Sequence, residues 1–138
     1  MEAFTAYSHA LASLIGFALV VLALSPFSAL AKQKRGMAPG ATPAEDYSDR
    51  AYRLNRAYLN GCETLPAFLA VTVAAMLAGA APFWVNLLAA LVLLTRLAML
   101  AVHLSGAGKP HNGMRTMFYV AGWGCMVVLA VLALVAVF

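Results

Sequence analysis

The sequence predicts an all-α integral membrane protein, a four-transmembrane-helix bundle, and three observations carry that prediction. Hydrophobic residues make up 64% of the 138-residue chain and charged residues only 10%. With a mean hydropathy of +0.86, this is more apolar surface than a soluble domain of this length can hide. The apolar residues also fall into four stretches of about 20 or more residues, enough to cross a ~30 Å hydrocarbon core. Lipid offers no partner to an unpaired N–H or C=O, so each stretch is expected to be helical.

Taken in order, the first span covers about 7–31. Ala29-Leu30-Ala31 has the look of a leader cleavage site, but the preceding segment carries Glu2 and no basic residue. Its apolar run is also too long for a leader's hydrophobic region, so it reads as a span. Met37-Ala38-Pro39-Gly40-Ala41-Thr42-Pro43 follows as an irregular, turn-rich loop. Ser48 or Asp49 then makes an N-cap, starting the second helix well before its span at about 57–78. Pro66 inside that span removes one backbone hydrogen bond and predicts a kink just past Glu63, opening a cleft. A break at Gly79-Ala80-Ala81-Pro82 leads into the third span, about 83–104, and the fourth covers about 116–138. No internal repeat stands out, so residues 1–138 read as one domain.

Charge gives the orientation. The first loop, 32–56, holds Lys32, Lys34, Arg35, Arg50, Arg53 and Arg56, the third holds Lys109 and Arg115, and the turn between spans two and three holds none. Basic loops face the cytoplasm, which puts both termini on the opposite side. The net charge of +4 follows from this bias and carries no nucleic-acid signal, since the cations sit beside spans. Cys62 and Cys125 lie within spans, where a structural disulfide is not expected. His9, His103 and His111 lack zinc-ligand spacing, so no metal site is expected. Gly106-Ala107-Gly108-Lys109 lacks the Walker spacing and is followed by Pro110, which makes it a loop.

The second helix is where the sequence departs from a plain membrane span. Arg53, Arg56, Asn60, Glu63 and Thr64 fall within an arc of about 100° on a 3.6-residue helix. Such a stripe is costly in hydrocarbon unless it faces protein, water or ligand. Helix three repeats the theme with Arg96, followed by Met99 and His103 on the same stripe. Arg96 lies eight residues before the third loop and Glu63 seven beyond Arg56, so both sit on the order of 10–13 Å from the basic end. An isolated arginine there costs at least ~2.5 kcal/mol. A Glu63–Arg96 contact, within one subunit or between subunits, is expected to offset it.

Arg56-Ala57-Tyr58-Leu59-Asn60 followed by Glu63-Thr64-Leu65-Pro66 resembles the second-helix signature of the MAPEG proteins, the membrane-associated proteins of eicosanoid and glutathione metabolism. Arg96 matches that family's third-helix arginine, and Arg115 with Gly122-x-Gly124 resembles the opening of its fourth helix. The resemblance covers nearly the whole chain, and its second-helix motif is the specific part. It implies a homotrimer of four-helix bundles, with cytoplasm-facing sites between neighbouring subunits that hold glutathione as co-substrate. Taken with the chemistry of the two polar stripes, it makes Arg53, Arg56, Asn60, Glu63, Arg96 and His103 the residues expected to bind the tripeptide. Arguments from chemistry agree: Arg53 and Arg56 can clamp carboxylates, Glu63 can accept from the ammonium, and Asn60 can bridge donors and acceptors. Arg115, at the mouth of helix four, is the catalytic candidate, because a guanidinium beside the sulfur raises the thiolate fraction. The second substrate would be a lipophilic small molecule, an electrophile or hydroperoxide, arriving from the membrane lipids.

Three departures bear on function. Family enzymes commonly carry tyrosines where this chain has Met99 and His103, Thr64 replaces the tyrosine that follows the glutamate in leukotriene synthases, and the loop from His103 to Arg115 is a few residues longer. They count against eicosanoid substrates and against the usual mode of thiolate activation. Two functions are therefore expected from the sequence: a glutathione-dependent transferase or peroxidase, or a non-catalytic lipid-binding protein or accessory subunit of a larger membrane complex, as the family's lipoxygenase-activating protein shows. A small transporter is not supported, since there are no paired broken helices and no inverted repeat.

Overall fold

A computed structural model describes residues 2–107 and 113–138 of the chain. Lys109 and His111, with Gly108 and Pro110 of the glycine-rich loop, lie outside the described residues. A single turn, α1 (Glu2–Thr5), precedes four long helices: α2 (Ser8–Gln33), α3 (Arg50–Leu77), α4 (Pro82–Ser105) and α5 (Met114–Val137). All four are long and apolar enough to cross a membrane. At 1.5 Å per residue the shortest, of 24 residues, spans roughly 36 Å, more than a ~30 Å core requires. The chain is a multi-pass membrane protein.

The boundaries follow local chemistry. Asp49, of the two N-cap candidates, starts α3: its side chain accepts from Ala51 N at 2.8 Å. At the other end α3 closes onto Gly79, whose φ of 73° is the left-handed conformation glycine adopts freely. Pro82 then occupies the first turn of α4, where its missing N–H costs nothing. Pro26 and Pro66 lie inside α2 and α3, and both helices run on through them.

α3 packs against each of the other three long helices. The core they share is built on Phe17, Phe68, Val85, Val92 and Leu129, with the Phe17 and Phe68 rings edge-on at 6.2 Å. Two glycines set the closest approaches. A Cβ on Gly61 of α3 would meet Val21 Cγ2 of α2 at 2.8 Å, and one on Gly122 of α5 would meet Thr95 Oγ1 of α4 at 2.6 Å. Small residues at such crossings allow the tight van der Waals packing on which membrane helices depend. Outward faces carry Leu19, Leu22, Val131 and Leu134, side chains suited to lipid.

The two ends of the bundle are built differently. At the end holding the α3–α4 turn, Tyr7 donates its hydroxyl to Ala80 O at 2.7 Å. Asn86 donates from Nδ2 to Ala6 O at 2.7 Å and accepts from Ala10 N at 2.9 Å. The opposite end holds the C-terminus of α2, the first loop, and the facing ends of α3, α4 and α5.

Candidate functional site

The first loop returns to α3 through a short ordered passage. Ser48 donates from both N and Oγ to Asp46 Oδ1, at 2.8 and 2.6 Å, an Asx-type turn that holds the exposed Asp46 carboxyl below the usual carboxylate range. Arg35, at the end of α2, pairs with Asp49 at 2.6 Å. Arg53, one turn into α3, donates Nη1 to Tyr47 O at 2.7 Å and to Ser48 O at 2.8 Å. Fixed from three sides, this passage delivers the Tyr47 side chain to the basic end of the bundle.

Tyr47 there becomes one wall of a polar cavity of about 320 Å³. Helix α3 contributes Arg56, Ala57, Asn60 and Glu63, α4 contributes Met99 and His103, and α5 contributes Arg115, Thr116 and Tyr119. The positions on α3 recur at three- and four-residue intervals, as one helix face requires. Glu63 is exposed, whereas Arg56 and Asn60 are half-buried, so the carboxylate sits at the open side and the amide deeper.

Arg115 is the hub. Its Nη1 donates to His103 Nδ1 at 3.3 Å. Because a guanidinium has no acceptor, this leaves the ring proton on Nε2. Its guanidinium carbon lies 5.2 Å from the centroid of the Tyr47 ring, within cation–π range. Arg115 also hydrogen-bonds the Tyr47 hydroxyl, which holds that phenol below the usual tyrosine range, with a smaller contribution from the Tyr52 hydroxyl and an opposing one from burial. Tyr47 further packs edge-on against Tyr52 at 5.2 Å and His103 at 6.1 Å.

Arg96 lies behind this cavity. At 2% exposure it is enclosed by its own chain, with Nη1 3.4 Å from Asn60 Oδ1 and 3.9 Å from Met99 Sδ. Its guanidinium sits 4.7 Å from the Tyr119 ring centroid, and its Nε finds no partner. The expected Glu63–Arg96 pair is therefore not made within the chain. Arg96 instead takes a carbonyl oxygen, a thioether and an aromatic face, because Glu63 is turned out to the exposed side of the cleft while Arg96 points inward. A buried guanidinium with no carboxylate beside it adds positive potential to the adjoining cavity, since low-dielectric surroundings screen it weakly. Gly122 packs beside it: a Cβ there would stand in van der Waals contact with Arg96 Nε, at 3.4 Å.

Of the residues singled out in the sequence, the structure brings Arg56, Asn60, Glu63, His103 and Arg115 to one cavity. Arg96 lies just behind its floor, and Arg53 serves the carbonyls of the loop beside it. Tyr47 and Tyr119 were not foreseen. Tyr119 falls within the apolar run of the fourth span, where nothing in the spacing marks it as a site residue, and Tyr47 lies in a loop that carries no helical periodicity. Its one local signal is its position two residues before the N-cap, inside the turn that Asp46 and Ser48 form.

The arrangement offers two accessible cations, one exposed carboxylate, an amide and two phenols around a cavity at the basic end. That set is suited to a small zwitterionic molecule with an excess of negative charge. No curated protein and no solved structure matches the chain. The MAPEG family profile matches residues 8–135, nearly the whole of the bundle just described, and the chain belongs to the MAPEG family, membrane proteins of the eicosanoid- and glutathione-metabolism type.

Proposed function

We propose that the protein is a glutathione-dependent transferase or peroxidase, a homotrimer whose cleft opens to the cytoplasm and takes its second, lipophilic substrate from the bilayer. The single observation that carries this reading is the convergence of Arg56, Asn60, Glu63, His103, Arg115 and Tyr47 on one cavity. Glutathione carries two carboxylates, an ammonium and a thiol. In this reading Arg56 binds a carboxylate, Glu63 accepts from the ammonium, and Asn60, held by Arg96, fixes the peptide between them. The exposed position of Glu63 suits closure of the site by a neighbouring subunit.

Arg115 faces the sulfur. Its charge favours thiolate over thiol. In a transferase step the thiolate attacks an electrophilic carbon, a C–S bond forms, and the leaving group departs with the electron pair. In a peroxidase step it attacks the distal hydroperoxide oxygen, and a second glutathione completes reduction to alcohol, water and disulfide. Tyr47 supplies from the first loop a phenol that α4, with Met99, does not. The hydroxyl sits beside Arg115, where it can hold that guanidinium toward the sulfur.

A non-catalytic, lipid-binding role or an accessory role in a larger membrane complex is the alternative, favoured by Met99, which turns its sulfur onto Arg96 and offers no donor to a thiolate. The discriminating experiment is glutathione binding to the purified protein with thiolate absorbance read in the same sample. Arg56→Ala and Glu63→Ala are each expected to weaken binding by at least ~1.5 kcal/mol, the scale of a charged hydrogen bond. Unchanged affinity in both removes the cleft from glutathione binding. Binding without thiolate favours the non-catalytic reading.

A further inference from the structure

A second concavity of about 820 Å³ lies at the same end of the bundle, lined by α2, α3 and α4. It shares no lining residue with the polar cleft. Its walls are apolar, with Val20, Phe27 and Leu30 on α2, Leu54 on α3 and Leu100 on α4, and its outer rim carries Lys34, Arg35 and Arg50. We infer that this groove binds one acyl chain of an anionic phospholipid from the adjoining leaflet, with the lipid phosphate held at the cationic rim.

Depth, charge and position support this occupant. On α2 the apolar wall runs from Val20 to Ala31, about 16 Å at 1.5 Å per residue, which is about half of a ~30 Å hydrocarbon core and so the depth of one leaflet. The cations stand at the polar end of that wall, where a headgroup lies when its chain fills the groove. Arg35 is paired with Asp49. Lys34 and Arg50 are exposed, and among the described residues neither has an acid within ion-pair distance. A zwitterionic lipid would satisfy the walls and leave this net positive rim unmatched, whereas an anionic lipid satisfies both. A second copy of the chain is the poorer occupant, because the neighbouring subunit of the proposed trimer is assigned to the polar cleft, which shares no lining residue with this groove.

The test uses the full chain reconstituted into phosphatidylcholine vesicles, with spin-labelled phosphatidylglycerol or spin-labelled phosphatidylcholine as probe. The motionally restricted fraction reports association. The wild-type protein is expected to prefer phosphatidylglycerol by about tenfold or more, the scale of two unpaired cations at the headgroup level. Lys34→Gln with Arg50→Gln is expected to bring the two probes close to parity. Ala23→Phe, at an exposed groove position, is expected to lower restriction of both probes at an unchanged Tm. Equal association of the two lipids with the wild-type protein overturns the proposal, as does a preference that survives the double substitution. Efficient disulfide cross-linking between copies through Ala23→Cys also overturns it, since it would place a neighbouring subunit in the groove. None of these readouts depends on glutathione.

Discussion

The two ends of this bundle solve opposite problems with the same four helices. At the α3–α4 turn, Tyr7 and Asn86 close the structure by hydrogen-bonding backbone groups of other segments. Both side chains are spent on the fold. At the basic end, Arg56, Glu63, His103 and Arg115 surround an open cavity, and Arg96 is buried behind it without a carboxylate. Tyr7 and Asn86 follow the rule that buried polar groups find partners, although Thr72 Oγ1, in the half of α3 nearest that end, has none. The open end departs from it at Arg53 Nε, Asn55 Nδ2 and Arg96 Nε, and the last of these lies behind the cavity, where a ligand is expected to supply what the chain withholds.

Substitutions should separate the two ends. The largest effect is expected from Arg115→Ala, which removes the guanidinium proposed to face the sulfur. Conjugating or peroxidase turnover should fall by roughly 10²–10³-fold, the cost of losing one such electrostatic group, with Tm little changed. If turnover stays within a few-fold of wild type, the open end is not the reacting end.

Gly122→Ala probes the boundary between fold and site. Its new Cβ meets Thr95 Oγ1 at 2.6 Å, and that oxygen is already held to Leu91 and Val92 carbonyls. Thermal unfolding should show a loss of about 1–3 kcal/mol, the usual cost of overpacking. An unchanged Tm would show that α4 and α5 yield easily at this crossing.

Asn86→Ala belongs wholly to the closed end. It leaves Ala10 N and Ala6 O without their side-chain partner, at an expected cost of about 1–3 kcal/mol, and it should leave glutathione affinity as it was. A matching fall in affinity would mean that the two ends are coupled through the helices.

The smallest effect concerns pH. Tyr47 is held below the ordinary tyrosine range by Arg115, so its phenol ionises at lower pH in the folded protein than in the unfolded chain. The resulting stabilisation of the fold is present above the unfolded pKa and is lost as pH falls through the folded one. At neutral pH, Tyr47→Phe should therefore leave Tm nearly unaltered by this route. In a spectrophotometric titration one of the five tyrosines should ionise early, and Arg115→Ala should return it to the ordinary range. Early ionisation that persists in Arg115→Ala would assign the shift to other groups.

Much of this was legible in the chain itself. Four apolar runs, Pro82 after the Gly79 break and an N-cap at Ser48 or Asp49 fixed the helices to within a few residues, because these are local and length-limited effects. The three- and four-residue recurrence of Arg56, Asn60 and Glu63 placed them on one face of α3, since helix geometry alone decides that. What spacing along a helix does not determine is which way a long side chain turns once neighbouring helices pack. Arg96 and Glu63 were matched in depth and looked like partners. Packing sends Arg96 inward to Asn60, Met99 and Tyr119 and leaves Glu63 at the open side. Arg53 shares the stripe of Arg56, but the returning loop offers it two carbonyls first. Tyr47 enters the site from irregular backbone, through a turn, an ion pair and a guanidinium that meet only in three dimensions. The sequence by itself determined the helices, their order and the polar face of α3. The tertiary structure decided which polar groups satisfy one another and which are left for a ligand, because hydrogen-bond partners and buried charges are chosen by contacts between segments distant in sequence.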